Sequence, residues 1–363
     1  MEICSKNRCS GCGMCSNICS LKAIKMQKDD KGFYFPVVDI KKCVNCQQCI
    51  KLCPSNNKIV TRKQKPLVYA AWNKDKYIRK ESTSGGIFSL LAERIIDLGG
   101  VVAGVAWTAD FKTQHMIVDN KANLLKIRGS KYVQSNTKQI YQHVKEYLKQ
   151  GKYVLFSGTP CQVHALRLFL GTVYERLITV DVVCHGVPSQ LMFNRYLKEI
   201  NSEINRITKV IFRKKKNFWS YAYVHIESDN QKNYEKLTID DSYFNLFNFN
   251  YSLRENCYNC QYTNLNRVSD ITLMDFWGYK IKSFKMRNYE KGISAILINS
   301  DKGMHLFRQL KNKLVYETRK IEDVLIGNQC LSKPFLKPQD CDEFWNDYLT
   351  GMGIHDLEKK IYY

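Results

Sequence analysis

Eight of the chain's 15 cysteines fall into two copies of one spacing near the N-terminus. In each copy, two residues separate the first three cysteines from one another, and three residues separate the third from the fourth. The two copies use Cys9, Cys12, Cys15 and Cys19, then Cys43, Cys46, Cys49 and Cys53. Because two-residue spacers let three thiolates of a tight loop reach three corners of an iron-sulfur cube, the pattern predicts two 4Fe-4S clusters.

The fourth corner of each cube needs a cysteine from outside its own loop. In the bacterial two-cluster ferredoxin pattern, the fourth cysteine of each copy binds the other copy's cluster. We therefore expect a first site made by Cys9, Cys12, Cys15 and Cys53. The second site is expected to consist of Cys43, Cys46, Cys49 and Cys19. Zinc sites have a different spacing, and disulfide frameworks belong to oxidising compartments, so both are disfavoured.

Four further cysteines lie in polar turn sequences later in the chain. Cys161 follows a predicted strand and lies in the first turn of a predicted helix that begins at Pro160. Cys184 follows the next predicted strand, and Cys257 and Cys260 form a third C-x2-C pair. Because ligands bind at the carboxyl ends of parallel strands in open α/β sheets, we expect the first two of these cysteines to lie at one ligand-binding edge.

Three interpretations of these four cysteines stay open. They are ligands of a third 4Fe-4S cluster. Alternatively, Cys161 is a nucleophile activated by its helix N-terminus and by His164 or His185. In the third interpretation all four are buried thiols without a chemical role, since cysteine is among the most buried residue types. The other cysteines match none of these spacings and are interpreted as incidental: Cys4, Cys330 and Cys341.

The length and the pattern of predicted strands and helices around these cysteines suggest two domains. A length of 363 residues with 44% hydrophobic residues allows a small ferredoxin domain and a larger domain with its own core. Residues 1–60 hold both copies of the cysteine spacing, and the polar, basic residues 61–68 are predicted to be a linker. Residues 69–340 alternate strand-like and helix-like segments, which predicts a mixed α/β domain, and residues 341–363 are predicted to form a helical tail. Residues 206–240, rich in β-branched and aromatic residues, indicate an antiparallel excursion.

One glycine-rich turn could bind a phosphate. Ser84, Gly85 and Gly86 precede a predicted helix over residues 87–98. Small residues leave backbone N–H groups of a helix N-terminus open to an anion, so the turn is a candidate phosphate cradle. An ordinary capped turn explains the same residues equally well.

The formal net charge of +22 indicates an acidic partner. The densest basic run, residues 213–216, is followed by aromatic residues, but no recognised nucleic-acid-binding module accompanies it, so we expect no nucleic acid. An acidic redox protein or an anionic coenzyme fits the charge, and a solvated basic surface without a specific partner is the plain alternative. No apolar run approaches the roughly 18 residues of a membrane span. With no signal peptide in the N-terminal residues, we expect a cytoplasmic location.

Taken together, the motifs resemble a known family. After the ferredoxin spacing come, in order, Ser84-Gly85-Gly86, Gly129-Ser130-Lys131-Tyr132, Gly158-Thr159-Pro160-Cys161-Gln162, Cys184-His185-Gly186-Val187-Pro188-Ser189, the Cys257 and Cys260 pair, and Asp270-Ile271-Thr272 with Asp275-Phe276-Trp277-Gly278. This series resembles the beta subunit of coenzyme F420 (deazaflavin) hydrogenase/dehydrogenase in its ferredoxin-fused form, over nearly the whole chain.

The resemblance implies an α/β domain that binds FAD and exchanges electrons between flavin and clusters. It further implies hydride exchange with a deazaflavin or another two-electron partner, and makes the later four cysteines the cluster nearest the flavin. The implied cofactor contacts are Ser84, Gly85, Gly86, Ser130, Lys131, Tyr132, Gly158 and Thr159. No catalytic residue is assigned; Lys131 and His185 are the nearest candidates for tuning the flavin's charge. A non-catalytic electron-transfer adaptor is the alternative function, and both a homo-oligomer and a subunit of a redox complex fit.

Overall fold

The computed structural model describes residues 1–59, 65–204 and 206–362. Residues 61–64 of the predicted linker lie outside the described residues. The strands are β1 (Ile24–Lys28), β2 (Tyr34–Val38), β3 (Leu67–Asn73), β4 (Val101–Trp107), β5 (Thr113–Val118), β6 (Val154–Gly158), β7 (Leu177–Val182), β8 (Ile207–Lys214), β9 (Tyr223–Ser228), β10 (Tyr234–Leu237), β11 (Ile271–Asp275), β12 (Ser294–Ile298) and β13 (Leu314–Arg319).

The helices connect these strands and form the C-terminal end of the chain. They are α1 (Met14–Ile18), α2 (Gln48–Lys51), α3 (Lys76–Lys80), α4 (Ile87–Asp97), α5 (Leu124–Ile127), α6 (Ile140–Lys149), α7 (Pro160–Leu170), α8 (Gln190–Ile204), α9 (Ser242–Asn248), α10 (Asp301–Leu310), α11 (Ile321–Leu325), α12 (Cys341–Leu349) and α13 (Ile354–Ile361). Among the helices that the structure describes, none has both the length and the apolar character that a membrane crossing requires.

The N-terminal region folds around its cysteines. Strands β1 and β2 pair as an antiparallel hairpin, and α1 and α2 follow the two cysteine loops. The small core contains Ile3 and Ile24 together with the buried cysteines Cys15, Cys49 and Cys53. Because so few aliphatic side chains contribute, the cysteines themselves make up much of this core.

The large domain is built on an eight-stranded mixed sheet in the order β13-β3-β12-β11-β7-β6-β4-β5. Strands β4, β6, β7 and β11 are parallel to one another, whereas β5 pairs antiparallel with β4, and β12, β3 and β13 continue the sheet from β11 in antiparallel pairs. The expectation of a parallel sheet therefore holds only for the four central strands. The connection from β4 to β5 is too short for a crossover helix and allows only a hairpin.

Helices cover both faces of the large sheet. Side chains alternate between the faces along β4: Val101 and Ala103 pack with α6 and α7, while Val102 packs with α4 and α10. This alternation is the two-residue period of an extended strand. The same layer that holds α6 and α7 also contains Cys12 and Met14 of the N-terminal region, so the ferredoxin-like part packs on this face.

The antiparallel excursion predicted over residues 206–240 is confirmed as the three-stranded sheet β10-β9-β8. It packs with α8, α9, α12 and α13 around a core rich in aromatic residues. Trp345 and Tyr348 of α12 lie in this core, so the C-terminal segment packs into the larger domain.

Candidate iron-sulfur sites and cofactor loops

The cysteines of the predicted first site surround a small cavity. Cys9, Cys12, Cys15 and Cys53 all line it, and each side chain is buried. Burial raises the pKa of the Cys15 thiol well above its usual value, and the neighbouring thiolates of Cys12, Cys9 and Cys53 add to the effect. The structure therefore brings Cys53 to the first copy of the motif. Binding of the cluster by these four thiols stays a prediction.

Cys4 also lies in the wall of this cavity, where it contacts Cys9 and Cys53. Hydrogen bonds to those two thiols raise its pKa, while the bond from Cys4 helps to lower the pKa of Cys9 to about 6. The interpretation of Cys4 as incidental is therefore corrected: it is a fifth thiol beside the first site. Four residues separate Cys4 from Cys9, which matches no ligand spacing, so no local pattern reveals this position.

The predicted second site lies at the surface. Cys46 is exposed, Cys19 and Cys43 are half-buried, and only Cys49 is buried. Burial raises the pKa of Cys49, with smaller contributions from the thiolates of Cys46 and Cys19. The structure thus places Cys19 near the second copy of the motif, as the exchange of fourth cysteines requires.

The four later cysteines come together at the carboxyl ends of β6 and β7. Cys161 lies in the first turn of α7, where Thr159 and Gln162 form a reciprocal capping box, and Thr159 Oγ1 is 3.1 Å from Cys161 Sγ. Burial raises the pKa of Cys184 well above its usual value, and the thiolates of Cys257, Cys161 and Cys260 raise it further. We call this group the third site.

Cys330 is a further thiol near the third site that the sequence analysis treated as incidental. It is buried, and burial together with the nearby Cys260 thiol raises its pKa to about 12. It lies in a short 3-10 helix over Gln329–Leu331, far from the other cysteines in sequence. An isolated cysteine of this kind carries no spacing that could reveal the proximity.

The third site lies directly against the first site. Residues on both sides of the Cys257 and Cys260 pair hydrogen-bond to the backbone around first-site cysteines: Asn256 Nδ2 donates to Arg8 O at 2.8 Å, and Gln261 Nε2 donates to Pro54 O at 2.9 Å. Cys161 and Cys260 pack against the same hydrophobic cluster that contains Cys12. Tyr141 Oη also donates to Cys12 O at 2.8 Å.

The geometry argues against the interpretation of Cys161 as an activated nucleophile. Burial raises its pKa, although Thr159 and the N–H groups at the helix start act in the opposite direction. His164 hydrogen-bonds to Tyr262 Oη at 3.0 Å, and His185 bonds to Asn250 Oδ1 at 2.6 Å. Burial also lowers the pKa of both histidines to about 4. Neither imidazole is thus placed to activate this thiol.

The donor set fits iron-sulfur clusters. Thiolates are the usual protein ligands of 4Fe-4S clusters, and each of the three sites offers four cysteines. Within the described ranges, no three His, Cys, Asp or Glu side chains converge closely enough to hold one metal ion. A cluster does not require such convergence, because each cysteine binds a separate iron atom at one corner of the cube. At the first site the four cysteines line a cavity instead.

The two loops expected to contact a flavin meet in the structure. The backbone N–H of Ser130 donates to Thr83 Oγ1 at 3.1 Å, which joins the loop before α6 to the turn before α4. Arg128 lies between them and donates through Nε to Ser89 Oγ, but its buried Nη1 has no partner within the described residues. Burial lowers the pKa of Lys131 to about 7, and its Nζ donates to the backbone oxygens of Arg128 and Gly129.

Other members of the expected cofactor set have structural partners. Gly85 N–H donates to Ser294 Oγ at 3.0 Å, so this N–H is not open to a phosphate. A Cβ at Gly85 would also collide with Ala71 O and the backbone of Ser294, which explains the glycine by packing between β3 and β12. The backbone N–H of Thr159, which follows Gly158 at the end of β6, is taken by Gln162 Oε1.

Tyr132 packs into an aromatic cluster with Phe212, Phe244 and Phe247. It also hydrogen-bonds to Arg213, a buried residue that pairs with Asp275. Its ring therefore has structural partners inside the larger domain.

An open aromatic pocket of about 390 Å³ lies next to this region. Its walls include Trp219, Trp277 and Tyr279, and Trp219 packs on Trp277 with ring centroids 4.6 Å apart. The guanidinium of Arg213 lies 5.2 Å from the Trp277 ring and also contacts Tyr132, so it connects the pocket to the Tyr132 loop. The local sequence Asp275-Phe276-Trp277-Gly278 does not predict this pocket, because Trp219 comes from a distant segment.

Comparison with known proteins agrees with this arrangement. Residues 8–57 match the model of the 4Fe-4S dicluster domain. Residues 68–141 and 151–324 match the models described as the N-terminal and C-terminal parts of the coenzyme F420 hydrogenase/dehydrogenase beta subunit. The prediction of an N-terminal two-cluster domain is thereby confirmed.

Individual relatives cover parts of the chain. An uncharacterised ferredoxin from Methanocaldococcus jannaschii is 35% identical over 66 residues, which are 17% of this chain and 84% of that protein. An uncharacterised protein from the same organism is 25% identical over 200 residues, which are 47% of this chain and 55% of the relative. A chain in the xenon-derivatised structure of the F420-reducing NiFe hydrogenase complex from Methanosarcina barkeri aligns over 84% of this chain and 91% of its own length, with 18% identity and a TM-score of 0.45.

Proposed function

The chain belongs to the coenzyme F420 hydrogenase/dehydrogenase beta subunit family, and from this premise we propose that it is an iron-sulfur flavoprotein oxidoreductase. In this proposal electrons move singly through three clusters, and FAD exchanges them in pairs with a two-electron partner. The cysteines of the first, second and third sites hold the clusters. FAD supplies the change between one-electron and two-electron chemistry when it is bound.

The contact between the first and third sites is the observation that carries this proposal. The second site is exposed at Cys46, the first site is buried behind it, and the third site adjoins the first through Asn256 and Gln261. This order gives a path from the surface into the larger domain. A path of this kind is useful only if the inner end reaches a centre that stores or transfers electrons.

The loops around Thr83 and Ser130 support an anionic cofactor in the larger domain. They present the unpartnered Nη1 of Arg128 and the amine of Lys131, and neither has a recorded carboxylate partner among the described residues. Cations without acidic partners suit the pyrophosphate of FAD. We propose Ser84, Gly86, Ser130 and Lys131 as its nearest contacts, with Gly85, Tyr132, Gly158 and Thr159 as the surrounding frame.

The two-electron partner is proposed to be a deazaflavin-like or other planar, anionic molecule. The aromatic pocket of Trp219, Trp277 and Tyr279 could receive a planar ring, because aromatic side chains stack on such rings. The net charge of +22 would attract an anionic coenzyme or an acidic redox protein.

The direct test is anaerobic quantification of iron, labile sulfide and flavin in one sample. Three clusters require twelve irons per chain, two require eight, and a flavoprotein releases flavin fluorescence on denaturation. Intact clusters without any flavin, and no reduction by hydride donors, would contradict the flavoenzyme and favour an electron-transfer adaptor.

A ligand variant isolates the third site. Cys161→Ser should reduce the iron content by four per chain, while the eight ferredoxin cysteines keep their iron. Cys341→Ser is the control, because Cys341 is more deeply buried than Cys161 but contacts Tyr258 and Tyr251 and has no place in the three sites. An unchanged iron content in Cys161→Ser would contradict a third cluster bound by this thiol.

A further inference from the structure

Arg254 is a fully buried cation between the first and third sites. Its side chain is only 1% exposed. The Nε atom donates to Cys9 O at 2.6 Å, and the side chain also hydrogen-bonds to the Cys9 thiol. Nη1 and Nη2 have no nitrogen or oxygen partner within the described part of the chain. No carboxylate lies within ion-pair distance of it among the described residues. A buried charge without an anionic partner is costly, so this guanidinium requires an explanation.

The guanidinium is aimed at the loop that wraps the first site. A Cβ placed on Gly11 would lie 3.0 Å from Arg254 Nη1, so this nitrogen lies beside the segment between Cys9 and Cys12. The aromatic ring of Phe35 stacks on the guanidinium at 4.0 Å and holds its plane. These contacts all belong to the ferredoxin-like part of the chain.

The backbone of Arg254 is fixed to the third site. Its N–H donates to Val187 O at 3.0 Å, three residues after Cys184, and its carbonyl accepts the N–H of Cys257 at 2.8 Å. The main chain of Arg254 therefore belongs to the third site, while its side chain contacts the first site.

We propose that Arg254 is the shared counter-charge and positioning residue of the first and third clusters. Clusters with thiolate ligands carry negative charge, which increases when they are reduced. A cation in a dry interior stabilises the reduced state, and net charge and hydrogen bonding both set the reduction potential of a cluster. Arg254 thus raises the potentials of the first and third clusters relative to the second site, which favours transfer of an electron from the surface inward. This inference rests on the third cluster of the proposed function.

The test is a potentiometric titration of the holoprotein followed by electron paramagnetic resonance and visible absorption. Arg254→Met and Arg254→Gln remove the charge, whereas Arg254→Lys keeps it but lacks the planar fork. Both neutral variants should lower the midpoint potentials of two clusters and leave the second site's potential in place. Arg254→Lys should remain closer to the wild type. Arg287→Met removes an exposed arginine and should change none of the potentials.

The outcomes separate the role of Arg254 from the existence of the third cluster. Should Arg254→Met fail to fold, Arg254→Gln and Arg254→Lys give the same contrast between a neutral and a charged side chain. Wild-type potentials in the neutral variants, or equal shifts in the neutral and lysine variants, would overturn the role as a counter-charge. A wild-type protein with eight irons would instead remove the third cluster, and with it the shared part of the inference.

Discussion

The two copies of the cysteine motif share their spacing and their backbone but differ in what surrounds them. Gly11 and Gly13 of the first copy have φ angles of +65° and +73°, and the equivalent Asn45 and Gln47 have +54° and +60°. Both loops therefore turn through the left-handed region at the same positions. That region is easy for glycine, while other residues adopt it at a cost of about 1 kcal/mol.

The first copy has glycine at these two positions because it contacts the α/β domain, whereas the second copy does not need glycine there. A Cβ on Gly13 would overlap Thr137 Oγ1, and one on Gly11 would overlap Gln134. Asn45 and Gln47 face solvent, where side chains have room. The comparison shows that the cluster chemistry fixes the cysteines and the backbone, while the neighbouring domain decides which side chains fit between them. The buried copy is suited to pass electrons inward, and the exposed copy is suited to receive or release them.

The largest difference expected between the two copies is in iron release. A chelator added to the anaerobic holoprotein should remove four irons from the second site before the first site loses its iron, because Cys46 is exposed and the first-site cysteines are buried. The release is followed by absorbance of the chelator complex. Cys46→Ser should abolish the fast phase, and Cys12→Ser should abolish a slow phase. Release at one common rate would show that the burial difference has no consequence for the clusters.

The second prediction tests the glycine difference directly. Gly13→Ala should lower the free energy of unfolding by about 3 kcal/mol, because the new methyl group meets the stiff, buried Thr137 side chain and the left-handed backbone disfavours alanine. Thermal unfolding of the anaerobic holoprotein measures the change.

Gln47→Ala is its matched control, since it places the same residue on the same backbone conformation at the exposed copy. It should change the free energy of unfolding by only about 0.5 kcal/mol. Equal effects at the two positions would mean that the α/β domain does not restrict the first copy.

The smallest expected effect is the loss of stability in acid. It should come from the histidines of the α/β domain and not from the ferredoxin-like part. None of the seven histidines lies in residues 1–60. Burial lowers the pKa of His115 to about 4 from an ordinary value of 6.5. Between these values the unfolded chain binds the proton and the folded chain does not, so stability is lost as the pH falls from 6.5 towards 4.

Because of His115, the free energy of unfolding should fall by about 2 kcal/mol between pH 6.5 and pH 4.5. His115→Gln should reduce the dependence of the unfolding free energy on pH over this window, as measured by denaturant unfolding at several pH values. The exposed His305→Gln is the control and should leave the dependence unchanged. The same dependence in His115→Gln and the wild type would assign the acid sensitivity to other groups.

Much of the fold was accessible from local patterns. The capped helix beginning at Pro160, the hairpin partner of β4 and the antiparallel excursion over residues 206–240 each have a signal within a short stretch of sequence. The antiparallel pairing of β3, β12 and β13 had none, because strand order depends on contacts between segments that are distant in sequence. The aromatic pocket was missed for the same reason, since β9, β10, α9 and β11 lie between Trp219 and Trp277 in the sequence.

The sequence by itself determined the iron-sulfur chemistry, because ligand spacing within one loop decides whether thiolates can reach the corners of a cluster. Only the tertiary structure decided which copy of the motif is buried, that Cys4 lies beside the first site and Cys330 beside the third, and that Arg254 connects these two sites. These features depend on side chains that are distant in sequence, and Arg254 and Cys9 are 245 residues apart. Their positions follow from how the ferredoxin-like part packs on the large sheet, and no local spacing encodes that packing.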